Sequence, residues 1–207
     1  CWGENENGKL VDVTTSYRRA PVDVVGLASD VAQVSAGMNH TCALMVWGGV
    51  RCWGGNYYGQ LGDGSGVDVT RYEPVDVVGL TSDVDQVSAG SDHTCALLEG
   101  YGVICWGSGD CLGDGTGMDS WEPVDVHGLG GEVVQVSAGS YHTCALLDTG
   151  GVTCWGANDF GQVGDGTTTD TLEPVDVSGL ASGPSKLKAC PTWPAAKVVP
   201  FGEPWLP

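Results

Sequence analysis

Apolar and polar residues alternate along this chain in short runs, never at the 3.6-residue period of a helix. Val31-Ala32-Gln33-Val34-Ser35-Ala36 alternates in part, as does Val84-Asp85-Gln86-Val87-Ser88-Ala89. A second run spans His93 to Leu98 and a third Val103 to Trp106, with Glu99-Gly100-Tyr101-Gly102 between them as a turn. Glu73-Pro74-Val75-Asp76-Val77 is a fourth; its proline cannot donate to a ladder, which suits an outer strand. Four short strands joined by glycine turns predict one blade of a propeller, an all-β architecture.

The unit recurs. Cys-Trp-Gly begins at Cys1, Cys52, Cys105 and Cys154, and His-Thr-Cys-Ala-Leu at His40, His93 and His142. Ser-Ala-Gly starts at Ser35, Ser88 and Ser137, Pro-Val-Asp-Val at Pro21, Pro74, Pro123 and Pro174, and Gly-Asp-Gly at Gly62, Gly113 and Gly164. Five landmarks in one fixed order, with spacings of 49 to 53 residues, mark a repeat architecture.

Composition narrows the function. Of 207 residues 34 are glycine and 10 proline, too many for long helices. Hydrophobic residues at 42% and charged ones at 16% argue for a folded chain. The net charge of −18 excludes nucleic acid as the expected partner, because that affinity comes from neutralising phosphates, and it disfavours anionic membranes. No apolar run approaches 18 residues, so no membrane insertion is expected. No signal peptide is visible, and the start at Cys1 without a methionine suggests a processed or partial chain.

Gly59-Gln60-Leu61-Gly62-Asp63-Gly64, Glu73-Pro74-Val75, Val87-Ser88-Ala89-Gly90, His93-Thr94-Cys95-Ala96-Leu97 and Trp106-Gly107 together resemble the RCC1 (regulator of chromosome condensation) repeat. The resemblance covers residues 1–182, in periods near 1–51, 52–104, 105–153 and 154–182. It implies a seven-bladed β-propeller with about one repeat per blade, which would need roughly 350 residues at this period. The expected fold is therefore a partial RCC1-type β-propeller of about 3.5–4 blades of four short antiparallel strands. A proline-rich, non-repeat stretch at 183–207 follows as an irregular tail. Because Cys1-Trp2-Gly3 lacks its hairpin partner, three expectations stand open: a piece of a longer propeller, self-association of copies through open blade edges, or a truncated reading frame.

Cys42 and Cys52, Cys95 and Cys105, and Cys144 and Cys154 are each ten apart, flanking a hairpin turn. Centring that turn opposes each pair in register, where Cα atoms about 4.5 Å apart permit a disulfide. Recurrent bridges predict an oxidising, extracellular or cell-surface setting. Two readings compete. His40, Cys42 and Cys52 could ligate a metal, but a structural zinc wants a fourth ligand that does not recur; buried free thiols are the other. Cys1 is expected to bond to a cysteine in the hairpin strand missing before it, and Cys111 and Cys190 have no mate in the pattern.

Histidines repeated in every unit are expected to be architectural, since an active site needs one constellation and not three; His127, outside the pattern, is expected at the surface. Asp63, Asp114 and Asp165, with Asp68, Asp119 and Asp170 behind them, read as Asx-type turns rather than calcium loops. Trp2, Trp53, Trp106 and Trp155 read as packing residues. With no catalytic motif, the chain is not expected to be an enzyme, and no cofactor or metal is assigned. The variable loops carry Tyr57, Tyr58, Tyr72, Trp121 and Phe160, residue types enriched in protein-recognition hot spots. The expected function is binding or adhesion to a protein partner of unknown identity. The resemblance implies two further readings: the guanine-nucleotide exchange role of the founding member, and enzyme inhibition as in some secreted bacterial relatives. A partial gene product with no function of its own is a further alternative.

Overall fold

The computed structural model describes residues 1–180 apart from 13, 28, 67 and 68. The proline-rich stretch with Cys190, and Asp68, lie outside the described residues. Three four-stranded antiparallel sheets account for nearly all regular structure. The first holds β1 (Val31–Ala36), β2 (His40–Met45), β3 (Val50–Gly54) and β4 (Arg71–Asp76). The second holds β5 (Val84–Ala89), β6 (His93–Leu98), β7 (Val103–Gly107) and β8 (Ser120–Asp125), and the third β9 (Val133–Ala138), β10 (His142–Leu147), β11 (Val152–Gly156) and β12 (Thr171–Asp176). Strand order follows chain order in each, the plain meander of a propeller blade.

The sheets straddle the sequence periods, because Cys-Trp-Gly closes the third strand and does not open a blade. Residues 1–30 form only the outer half of a unit. Among their described residues one bridge, Gly3 with Arg18, sits where Gly54 pairs with Arg71 in the first complete sheet. No helix of the described residues is long and apolar enough to cross a membrane.

The outer strand pairs irregularly. Cys52 faces Val75 and Gly54 faces Arg71, so Tyr72, Glu73 and Pro74 bulge opposite Trp53. A bulge is where a strand proline is tolerated, since no ladder donor is needed there. The same offset recurs at Glu122-Pro123 and Glu173-Pro174.

The core lies between sheets. In β2, Cys42 and Leu44 point toward the second sheet and meet Val87, Ala96, Ile104 and Trp106, while Ala43 and Met45 point back onto Val11. Period-two alternation thus feeds two different cores, and β2 is buried along its whole length. Leu97, Cys95 and Cys105 meet Val136, Ala145 and Trp155 of the third sheet in the same way.

Polar groups tie the sheets together where the inner strands would expose a bare edge. Gln33 Nε2 donates to the Val87 carbonyl (2.9 Å), Gln33 Oε1 accepts the Val87 amide (3.2 Å), and Ser35 Oγ accepts the Ala89 amide (2.9 Å). Gln86 and Ser88 do the same for Val136 and Ala138. Val87 and Val136 are fully buried by this contact, whereas Val34, with no described sheet before it, is 54% exposed.

A second tie runs deeper. Nε2 of His40 lies 2.7 Å from Thr94 Oγ1, and Nε2 of His93 lies 2.8 Å from Thr143 Oγ1. Thr94 spends its only hydroxyl proton on the Gln60 carbonyl (3.0 Å), so it must accept from His40, which fixes the Nε2–H tautomer. Nδ1 of His40 and of His93 is buried without a partner. An imidazolium there would bury an uncompensated N–H and charge, and burial holds both rings at a pKa of about 3. The recurring indoles complete the set. Trp53, Trp106 and Trp155 donate to the carbonyls of Lys9, Gln60 and Cys111. Trp2 carries the same motif and is 67% exposed, with no unit before it among the described residues.

Two outcomes follow from this packing. Trp106→Ala empties the junction of the first and second sheets and should cost about 3–5 kcal/mol in urea unfolding. A histidine held neutral in the fold binds protons more readily once unfolded, so its stabilising share is complete above pH 6.5 and declines as pH falls toward 3. By pH 5 each of His40 and His93 should have lost about 2 kcal/mol, measurable as a shift of the unfolding midpoint that His93→Gln reduces.

Candidate recognition face

Antiparallel strands reverse at every turn, so the β1–β2 and β3–β4 loops of a blade emerge at one end of the sheet and the β2–β3 loop at the other. All loops that carry the variable aromatics lie at the first end. In the first sheet this β3–β4 loop is organised by Asn56, which is fully buried: its Oδ1 accepts the Leu61 amide and its Nδ2 reaches Asp63 and Ser65. Asn158 holds the third sheet's loop identically through Val163 and Asp165, and Asn5 does so for Leu10 and Asp12. The aspartates then close Asx turns, Asp63 on the Ser65 amide and Asp165 on that of Thr167. Hydrogen bonds from these partners hold the Asp63 and Asp165 carboxyls below the usual range against the opposing effect of burial. Their oxygens are thus occupied by protein donors. Asp170 likewise accepts the Asn158 amide at 2.7 Å.

On this scaffold Tyr57 and Tyr58 stand at the tip of one loop, each more than 40% exposed, and Phe160 takes the place of Tyr58 at the tip of the third sheet's loop. Tyr57 is oriented by its hydroxyl, which donates to Asn7 Oδ1 at 3.0 Å. The Tyr58 amide is pinned to Gln60 Oε1 and the Phe160 amide to Gln162 Oε1. Trp121 and Tyr72 also contact a neighbouring loop, and Tyr72 is itself 50% exposed at this end. Each begins an outer strand and lies over a glycine of the neighbouring loop tip, Trp121 over Gly59 and Tyr72 over Gly8. Gly59 has φ +86°, and a Cβ there would stand 2.9 Å from the Trp121 ring. Trp121 is half-buried and braces the Tyr57–Tyr58 tip from below, so the structure does not place it among the exposed tips.

Three exposed side chains join this face that the sequence reading did not single out: Met38, Met118 and Tyr141. Tyr141 was legible, since it precedes the recurring histidine where Asn39 and Asp92 stand in the other units. Trp47 and Tyr101 are also exposed, but on β2–β3-type turns at the opposite end.

The three cysteine pairs are bridged. Cys42–Cys52, Cys95–Cys105 and Cys144–Cys154 each span a Cα separation of 4.1 Å. The Met45 amide donates to Gly49, so hydrogen-bonded pairs alternate from there and leave Cys42 opposite Cys52 at a narrow, non-hydrogen-bonded site. Cys1 and Cys111 are free thiols.

Cys111 belongs to the one irregular loop. From Cys105 to Asp114 the second sheet's loop is two residues shorter than from Cys52 to Asp63 or from Cys154 to Asp165, with Gly109 in place of the asparagine. A single 3₁₀ turn, Gly109–Cys111, closes it, and Asp119 Oδ1 accepts the Gly109 amide at 2.9 Å. Cys111 fills the position of Gln60, buried, and burial pushes its thiol up. The missing tip leaves a cleft of about 380 Å³ walled by Tyr58 and Tyr141 and floored by Asp92, Asp110 and Asp119.

A sequence profile described as "Regulator of chromosome condensation (RCC1) repeat" matches residues 1–44, 48–97, 102–146 and 149–190. Among curated proteins, the mouse "Regulator of chromosome condensation" is 38% identical over 106 residues, which are 51% of this chain and 25% of that protein. The human "Probable E3 ubiquitin-protein ligase HERC3" is 37% identical over 113 residues, or 53% of this chain and 11% of that protein. Among solved structures, human WBSCR16 superposes with a TM-score of 0.81 at 25% identity, over 90% of this chain and 50% of that one. Prp20p from Saccharomyces cerevisiae, described with its binding properties to Gsp1p and histones, gives 0.74 at 21% identity over 87% and 46%. The chain thus spans about half of the structural neighbours and a quarter or less of these two curated relatives. Peptide mapping without reductant should return the three cross-linked pairs, and Cys111 should resist iodoacetamide until the protein is unfolded.

Proposed function

The chain belongs to the Regulator of chromosome condensation (RCC1) repeat family, and we propose that it is an extracellular, non-catalytic module that binds a protein partner through one loop face of its propeller. One observation carries this reading: Met38, Tyr57, Tyr58, Met118, Tyr141 and Phe160 are exposed together at the same end of three adjacent sheets. Exposed apolar side chains scattered singly need no explanation, but a group rimmed by polar residues marks an interaction surface. Tyrosine suits such a surface, because it offers a large rigid contact area and a polar tip at low conformational entropy. The loops beneath are rigid: buried Asn56 and Asn158, the Asx turns and the Trp121 brace order them before any partner arrives, which reduces the entropy lost on binding. Three buried disulfides, two of them inside inter-sheet cores, support an oxidising setting.

Binders selected against the wild-type protein from an extracellular protein library test the reading. The triple substitution Tyr57→Ala, Tyr58→Ala, Phe160→Ala should weaken them at least tenfold in biolayer interferometry, and Trp47→Ala with Tyr101→Ala on the opposite end should not. Equal loss from both variants, or loss only from the second, would count against this face.

A further inference from the structure

Charge on this molecule is distributed unevenly. Between Arg71 and Lys186 there is not one lysine or arginine, against eighteen aspartates and glutamates. The second and third sheets therefore carry no cation of their own. Four of the five basic residues before them are engaged, Lys9 with Glu4, Arg18 with Asp12, Arg51 with Asp76 and Arg71 with Asp63, while the exposed Arg19 forms no ion pair among the described residues. The recognition face is consequently apolar at its tips and uncompensated in charge between them.

The two properties converge in the cleft left by the shortened loop. Its walls are the exposed rings of Tyr58 and Tyr141, contributed by the first and third sheets. On its floor, Asp92 is oriented by Asn39 Nδ2 and Gln60 Nε2, each 3.1 Å from its Oδ1, and Asp119 by the Gly109 amide. Asp110 makes no hydrogen bond or ion pair among the described residues. Asp92 and Asp119 are held in place by neutral donors, which orient them without cancelling their charge, and Asp110 is left unpaired beside them.

We propose, resting on the protein-binding reading above, that this surface takes a partner bearing an arginine side chain, inserted between Tyr58 and Tyr141 and paired with Asp110. A guanidinium is planar, weakly hydrated for a cation and able to lie on an aromatic face while forking onto a carboxylate. Lysine, a compact and strongly hydrated charge, matches this geometry less well. The surrounding negative field also draws such a partner in from solution, and that attraction is screened over about 8 Å at physiological salt.

The test uses the 15N-labelled protein and capped pentapeptides Gly-Gly-Arg-Gly-Gly, with lysine or leucine at the centre as controls. The arginine peptide should give saturable shifts confined to the amides of Tyr58, Asp92, Gly109, Asp110 and Tyr141, at least threefold tighter than the lysine peptide. Asp110→Asn, which breaks no internal bond and should leave the unfolding midpoint unchanged, should weaken it at least fivefold. Shifts of equal size at Asp148 or Glu173, an unmoved affinity in Asp110→Asn, or the same saturable shifts from calcium chloride alone would overturn the assignment. The two proposals separate in the selected binders. If these are lost with Tyr57, Tyr58 and Phe160 replaced but indifferent to Asp110→Asn, the face stands and the arginine site falls.

Discussion

No sheet in this protein is complete alone. The inner strands of the second and third sheets present backbone donors and acceptors along their edges, and the side chains that satisfy them belong to the sheet before: Gln33 and Ser35 for the second, Gln86 and Ser88 for the third. An unpaired buried amide or carbonyl costs about 1–3 kcal/mol, so losing one sheet exposes the next to several such penalties as well as to the loss of its core. The histidine–threonine bond extends the same dependence into the interior, where only a neutral ring is compatible with burial. Stability is therefore a property of junctions, as expected of a repeat protein whose units meet only their neighbours.

That dependence explains where disulfides can help. Each bridge crosses one hairpin, and Cys42–Cys52 and Cys95–Cys105 point into the junction with the next sheet, where they act both as staples and as core volume. Each closes a loop of ten residues, short enough that its entropic share is modest. Its value lies in holding β2, β6 and β10 flat against their partners, so that the two opposite faces of each strand stay in register with two different cores.

A frame this regular makes departures informative. Shortening one loop by two residues removes an aromatic tip, replaces a buried asparagine with a 3₁₀ turn, buries a thiol where a glutamine would stand, and opens a cleft between tyrosines of the two flanking units. None of these changes reaches the strands, because the loop ends are fixed by the junctions. This loop variation alters what one end of the propeller presents while leaving the fold intact.

Much of this was legible in the chain. Alternation, glycine punctuation and a fifty-residue period specified all-β blades; the ten-residue cysteine spacing matched the register of a hairpin; the repetition of histidine and tryptophan marked them as architecture. These are local or periodic signals, carried by residues whose roles are set within one unit or by the copy beside it. The roles that depend on the shape of a neighbouring unit were not legible. Trp2 carries the same motif as Trp53 yet lies exposed, Trp121 resembles a free loop aromatic yet braces Gly59, and Asp92, Asp110 and Asp119 are scattered in sequence yet floor one cleft. Only the stacking of sheets decides those cases, since a side chain's exposure is fixed by what packs against it and the residue's own identity does not encode that.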